Sequence, residues 1–68
     1  MPIAISLNGE PFSLERPSTV AELLVTLQID PRRVAVEHNF IVVKRDRYAD
    51  TAIREGDQIE IVNFVGGG

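Results

Sequence analysis

Thr19 and Glu22 stand in a Thr-x-x-Glu arrangement at the head of an apolar stripe, Val20, Leu23, Leu24 and Leu27. In such a capping box each side chain satisfies a backbone donor that the first helical turn leaves open. The i, i+3, i+4, i+7 spacing makes the stripe one face of a helix, with Glu22 and Thr26 opposite it and Val25 at the flank. Asp30-Pro31 is expected to end the element, because a residue before proline is driven out of helical geometry. A helix this short does not persist alone in water. Its apolar face has to lie across a sheet, and the remaining residues must supply that sheet.

They read as strands. Ile3, Ile5 and Leu7 alternate with Ala4 and Ser6, the period of a half-buried strand. Asn8-Gly9 follows, a dipeptide suited to a type I′ turn because both central positions need positive φ. Pro11 opens the return strand, where an edge tolerates the missing N–H, and Phe12 and Leu14 carry its apolar face. After the helix, Val34 to Glu37 reads as a third strand with Val34 and Val36 inward. A turn near His38-Asn39 leads into the apolar run Phe40 to Val43. Lys44 to Arg47 is locally basic: a solvated loop, or a patch that steers an acidic partner. Tyr48 to Ile53 admits a short strand or a 3₁₀ turn, and Glu55-Gly56-Asp57 turns into the final strand. In that strand Ile59 and Ile61 should face the helix, and Glu60, Val62 and Phe64 should face away. Two readings of its end stand side by side. Val62 and Phe64 form exposed apolar surface of the kind that marks docking sites, or the strand bends after Val62 and Phe64 enters the core.

Composition removes several functions. A chain of 68 residues is one small domain, burying about 60% of the surface that its unfolded form exposes. A net charge of −3 argues against nucleic acid as the main partner. Nothing approaches the ~20 apolar residues of a membrane span, and the start lacks the features of a signal peptide, so a cytoplasmic location is expected. Cysteine is absent, which excludes disulfides, thiolate metal sites and a cysteine nucleophile. One histidine makes a histidine-rich metal site implausible. His38 has the chemistry of a general base, but no nucleophile or orienting group accompanies it in the sequence, and it reads as a strand-end or loop histidine. The chain looks poor as an independent enzyme.

The end of the chain is different. Val65-Gly66-Gly67-Gly68 follows the last strand directly, so the terminal carboxylate is carried on three residues without Cβ atoms. Extended, three glycines reach roughly 10 Å, far enough to place a carboxylate inside another protein's active site. Ordering them costs about 1–2 kcal/mol per residue, which other contacts with the partner must offset. A frayed terminus or a cloning scar is the plain alternative.

Hairpin, crossing helix and further strands give ββαββ, an α+β domain. This order, with a last strand ending in glycines, resembles the β-grasp or ubiquitin-like fold. The segments 19–24, 34–39 and 55–68 resemble the ThiS family of thiamine-biosynthesis sulfur carriers, most specifically in Gly56-Asp57-Gln58-Ile59-Glu60-Ile61-Val62 and the glycine end. A di-glycine terminus alone is shared with ubiquitin-like modifiers and the molybdopterin-synthase small subunit; this chain has three glycines where two satisfy the motif.

The resemblance implies a β-grasp domain over residues 1–65, with first and last strands parallel at the centre of a mixed sheet, and a flexible glycine tail over 66–68. It implies a sulfur carrier that is a cosubstrate and not an enzyme. Gly68 is the residue modified, first to an acyl-adenylate and then to a thiocarboxylate. Gly66 and Gly67 thread the partner's channel; from the alternation above, and not from the resemblance, Val62, Phe64 and Val65 are the expected docking residues, with Phe64 still open between that surface and the core. The implied partners are a ThiF-like adenylating enzyme, a ThiG-like thiazole synthase, and a sulfur donor such as a cysteine desulfurase or sulfurtransferase. The chain itself binds no cofactor or metal; ATP and magnesium belong to the adenylating partner.

Overall fold

The computed structural model describes residues 1–64; Val65, Gly66, Gly67 and Gly68 lie outside the described residues. Strands β1 (Ile3–Leu7) and β2 (Glu10–Leu14) form the expected hairpin, pairing Ile3 with Leu14 and Leu7 with Glu10. Asn8 and Gly9 take φ of 51° and 81°, the left-handed geometry that their turn requires. Pro11 lies in β2 opposite Ser6, and β2 is an edge strand, where its missing donor costs no ladder bond.

A two-residue strand β3 (Ser18–Thr19) leads into helix α1 (Val20–Thr26). The capping box is complete: Glu22 N–H donates to Thr19 Oγ1 at 3.1 Å, and Thr19 N–H donates to Glu22 Oε1 at 2.9 Å. The helix ends earlier than the proline signal suggests. Gln28 takes φ of 60°, its N–H bonds Val25 O, and Ile29 N–H bonds Leu24 O. That pair of bonds is a Schellman closure, which satisfies the carbonyls of Leu24 and Val25 and ends the helix before Asp30-Pro31 is reached. The proline instead starts a 3₁₀ turn, Pro31–Arg33, capped by Asp30 accepting from Arg32 N–H at 2.9 Å.

Strand β4 (Val34–His38) and strand β5 (Ile41–Val43) form a second hairpin. Its turn lies one residue later than the sequence suggests, on Asn39 and Phe40, with φ of 52° and 71°. The basic run does not remain a loop; it enters a 3₁₀ helix, Arg45–Asp50. Both readings of the next stretch hold in part, since β6 (Ala52–Ile53) follows the 3₁₀ helix and pairs with β3 in a small second sheet. The last strand, β7 (Gln58–Asn63), pairs parallel to β1 and antiparallel to β4, giving the order β2-β1-β7-β4-β5. First and last strands therefore lie side by side within the main sheet, as the resemblance implies, with α1 across one face.

The core fills the space between. Val20, Leu23 and Leu24 from the helix meet Ile3, Ile5, Val34, Val36 and Ile59 from the sheet, and Tyr48 and Ile53 close one side. Leu23 and Leu24 are 0% and 1% exposed, so truncating either leaves a cavity and not a solvated gap.

Candidate functional site

The strand that delivers the chain end is held at its start by side chains. Asp57 Oδ2 accepts from Arg54 N–H at 2.8 Å and lies 2.7 Å from His38 Nε2, and Oδ1 accepts from Asn39 Nδ2 at 3.2 Å. Asn39 Oδ1 in turn accepts from Gln58 N–H at 2.8 Å. Burial works against the Asp57 carboxylate, but the bonds from His38, Arg54 N–H and Asn39 outweigh it and hold its pKa below the ordinary 3.8. His38 thus ends a strand, as read from the sequence, and ties the β4–β5 turn to the turn before β7. Gly56, at φ of 84°, donates its N–H to Ala4 O at 2.8 Å and fastens the same turn to β1.

Asn8 extends the anchoring along β7. Beyond its turn role, its Oδ1 accepts from Ile61 N–H at 2.7 Å and its Nδ2 donates to Ile61 O at 3.3 Å. The side chain supplies rungs that β1, too short, does not provide. Asn8 was legible as a turn residue, but nothing local in the sequence shows that it reaches across to residue 61.

At the other end of β7 the alternation read from the sequence holds. Ile59 is buried and Ile61 packs partly against the core, while Glu60, Val62 and Phe64 are exposed. Of the two readings of Phe64 the exposed one is found: 60% of its surface is open, and 58% of that of Val62. The chain continues past β7 without tucking inward, because Phe64 N–H donates to Arg33 O at 2.9 Å and prolongs the β4 side of the ladder. Val62 lies opposite Ala35, and Glu60 opposite Glu37, on the sheet face away from the helix. Phe64 also borders a hollow of about 220 Å³ together with Val34, Val43, Tyr48, Arg32 and Arg45. That non-local grouping was not visible in the sequence.

Of the residues expected to form the site, Val62 and Phe64 are therefore both exposed at the end of the described residues. Val65, Gly66, Gly67 and Gly68 lie outside the described residues. Among the described residues, no group of three or more His, Cys, Asp or Glu side chains converges to hold a metal ion. Among the same residues, no helix is long and apolar enough to cross a membrane.

Comparison with known proteins adds to this geometry. The ThiS family model matches residues 5–68. The chain is 48% identical over 64 residues to a thiazole synthase of Magnetococcus marinus, a match covering 94% of this chain and 20% of that one. It is 35% identical over 65 residues to the sulfur carrier protein ThiS of Bacillus subtilis, covering 94% of this chain and 98% of that one. The chain spans about a fifth of the length of the thiazole synthases it matches. Among solved structures it superposes on a crystal structure of the thiamine biosynthesis protein ThiS from Geobacter metallireducens. That match has a TM-score of 0.85 at 32% identity, with 97% of this chain and all of the other covered.

Proposed function

Since the chain belongs to the ThiS family, we propose that it is a sulfur carrier for the thiazole moiety of thiamine, working through the carboxylate of Gly68. The observation that carries this reading is the reach of the family match. The family match runs through to Gly68, and the three glycines follow a strand that is anchored at its start and exposed at its finish.

A carboxylate is a poor electrophile and has to be activated. In this reading the Gly68 carboxylate attacks the α-phosphorus of ATP in a ThiF-like adenylating partner, which binds the nucleotide and magnesium, and pyrophosphate leaves. A persulfide on a sulfur donor, fed by a cysteine desulfurase or sulfurtransferase, attacks the acyl-adenylate and expels AMP. A thiol then cleaves the S–S bond and leaves the thiocarboxylate on Gly68. A ThiG-like thiazole synthase passes the sulfur to its substrate, and an oxygen from that substrate or from water takes the sulfur's place and restores the carboxylate. The chain is a cosubstrate throughout, at work in the cytoplasm. Gly66 and Gly67 suit the task because a backbone without Cβ atoms passes where side chains collide. Val62, Phe64 and Val65 form the surface that docks on the partners, and the absence of cysteine keeps sulfur at the terminus. The match to proteins named thiazole synthase supports the last transfer.

The test is reconstitution. The chain, ATP, the adenylating enzyme and a sulfur donor are combined with thiazole synthase and its remaining substrates, and thiazole formation is followed. The expected result is product that requires the chain in stoichiometric or recycled amounts. Product formed equally well without it would overturn the reading.

A further inference from the structure

The cations of this acidic chain are unevenly placed. Arg32, Arg33, Lys44, Arg45 and Arg47, five of its seven, fall between residues 32 and 47. Three of them are engaged. Arg32 Nη2 lies 3.0 Å from Asp30 Oδ2, Arg33 Nε lies 3.9 Å from the same oxygen, and Arg47 Nη1 lies 3.8 Å from Asp50 Oδ2. The first pair is bidentate, with Arg32 Nε donating to Asp30 Oδ1 at 3.1 Å, and it draws the Asp30 pKa down to about 2. Arg45 has no carboxylate within ion-pair distance among the described residues.

Arg45 instead borders two hollows, one of mixed lining and one apolar. One, of about 220 Å³, is shaped by Phe64, Val34, Val43 and Tyr48. The other, of about 250 Å³, is shaped by Leu24, Val25, Ile29, Ala49 and Tyr48. Pro31, Arg45 and Tyr48 line both, and Arg45 is the one charged residue common to them. The proximity of Arg45 and Tyr48 has an electrostatic signature: burial raises the pKa of the Tyr48 hydroxyl, and the Arg45 charge pulls it the other way. Arg16, Lys44 and Arg54, also without ion pairs among the described residues, border neither hollow. A cation set in apolar surface at the root of the tail contributes little to the free domain. It gains most when an opposite charge arrives and water leaves.

We propose that Arg45 is the electrostatic anchor of the docking face, pairing with a carboxylate of the adenylating enzyme whose apolar neighbours enter the two hollows. The inference rests on the function proposed above. The charge complement required is one acidic side chain, because a guanidinium fork matches a carboxylate in two parallel hydrogen bonds. The nucleotide is the wrong match for Arg45. Four residues separate Phe64 from the end of the chain, and extended they span about 14 Å. The reacting carboxylate of a threaded tail is therefore far from its root, where protein surface and not ATP is met.

The experiment uses the full chain and the adenylating enzyme of the same organism, with calorimetric titration in the absence of ATP. Arg45→Gln is expected to weaken binding about 10-fold and Arg45→Glu by about 100-fold, the range for breaking a desolvated charge pair. Arg45→Lys is expected to fall between wild type and Arg45→Gln, and unfolding midpoints are expected to stay unchanged. Arg54→Glu, the same charge change away from the hollows, is expected to bind within about twofold of wild type, as exposed charges contribute little. Wild-type affinity for Arg45→Glu, or an equal loss in Arg54→Glu, would overturn the inference. So would a loss seen only with ATP present, since Arg45 would then be meeting the nucleotide. Wild-type chain that neither binds nor supports pyrophosphate exchange would overturn the function reading itself. Exchange by wild type with unimpaired Arg45→Glu would overturn only the anchor.

Discussion

Replacing Asp57 with alanine removes the acceptor on which the start of β7 depends. Its carboxylate meets Arg54 N–H, His38 Nε2 and Asn39 Nδ2 at 2.8, 2.7 and 3.2 Å, and its side chain is only 14% exposed. Hydrogen bonds to a charged group are worth about 1.5–3 kcal/mol when removed singly. The three share one carboxylate and their donors regain some water, so the sum is well below additive. The expected loss is about 2–4 kcal/mol, within the range of a broken buried network. A domain of 68 residues has about 3–10 kcal/mol in all, so the variant should be close to the edge of folding. Urea unfolding should show the midpoint falling by about 2 M or more if the slope is near 1 kcal/mol per M. The effect has a pH signature. Because the folded pKa lies below 3.8, the stabilisation by ionised Asp57 is fully present above that value and is lost as pH falls through the folded pKa. The difference between wild type and variant should hold from pH 7 to about 5 and shrink below about 4. A loss under 1 kcal/mol at pH 7, or a difference that grows on acidification, would refute the reasoning.

Other substitutions probe other parts of the account. Leu24→Ala, at a side chain 1% exposed, should cost about 2–5 kcal/mol in chemical denaturation. Gln28→Gly should stabilise the domain by about 1 kcal/mol, because Gln28 holds φ of 60° at the position where helices favour glycine; a fall in the thermal midpoint would count against the Schellman assignment. Phe64→Ala should leave the unfolding midpoint nearly unchanged, since 60% of the ring is exposed, yet weaken binding to the adenylating enzyme by about 10-fold or more. Equal binding would remove Phe64 from the docking surface.

What the sequence disclosed follows from how local each signal is. The capping box at Thr19, the stripe through Leu23 and Leu24, and the Asn8-Gly9 turn are written within a few residues, and each forms where it was read. Alternation along residues 59 to 64 is equally local, and so the exposure of Val62 and Phe64 could be read, though not whether the strand bent after Val62. The helix end was misread because Pro31 is a strong signal and Gln28 a weak one. A left-handed glutamine carries no mark in the sequence, while the bonds that close the helix belong to the backbone. The Asn39-Phe40 turn was displaced for the same reason, since a bulky residue at φ of 71° is not a turn signal. The reach of Asn8 to Ile61, of His38 to Asp57, and the meeting of Arg45 with Phe64 span 19 to 53 positions of chain. No periodicity encodes such contacts; only the sheet order brings them together.

The claim on which the function rests is that sulfur is carried at Gly68. It is tested by incubating the chain with ATP, the adenylating enzyme and a sulfur donor, then measuring its intact mass and mapping the change by peptide. The account expects the gain of one sulfur in place of one oxygen, on the C-terminal peptide, for the full chain. It expects none for the chain lacking Gly68, whose carboxylate stops about 3.5 Å short, although that variant folds as before. Sulfur found elsewhere on the chain, or full transfer to the shortened chain, would contradict it.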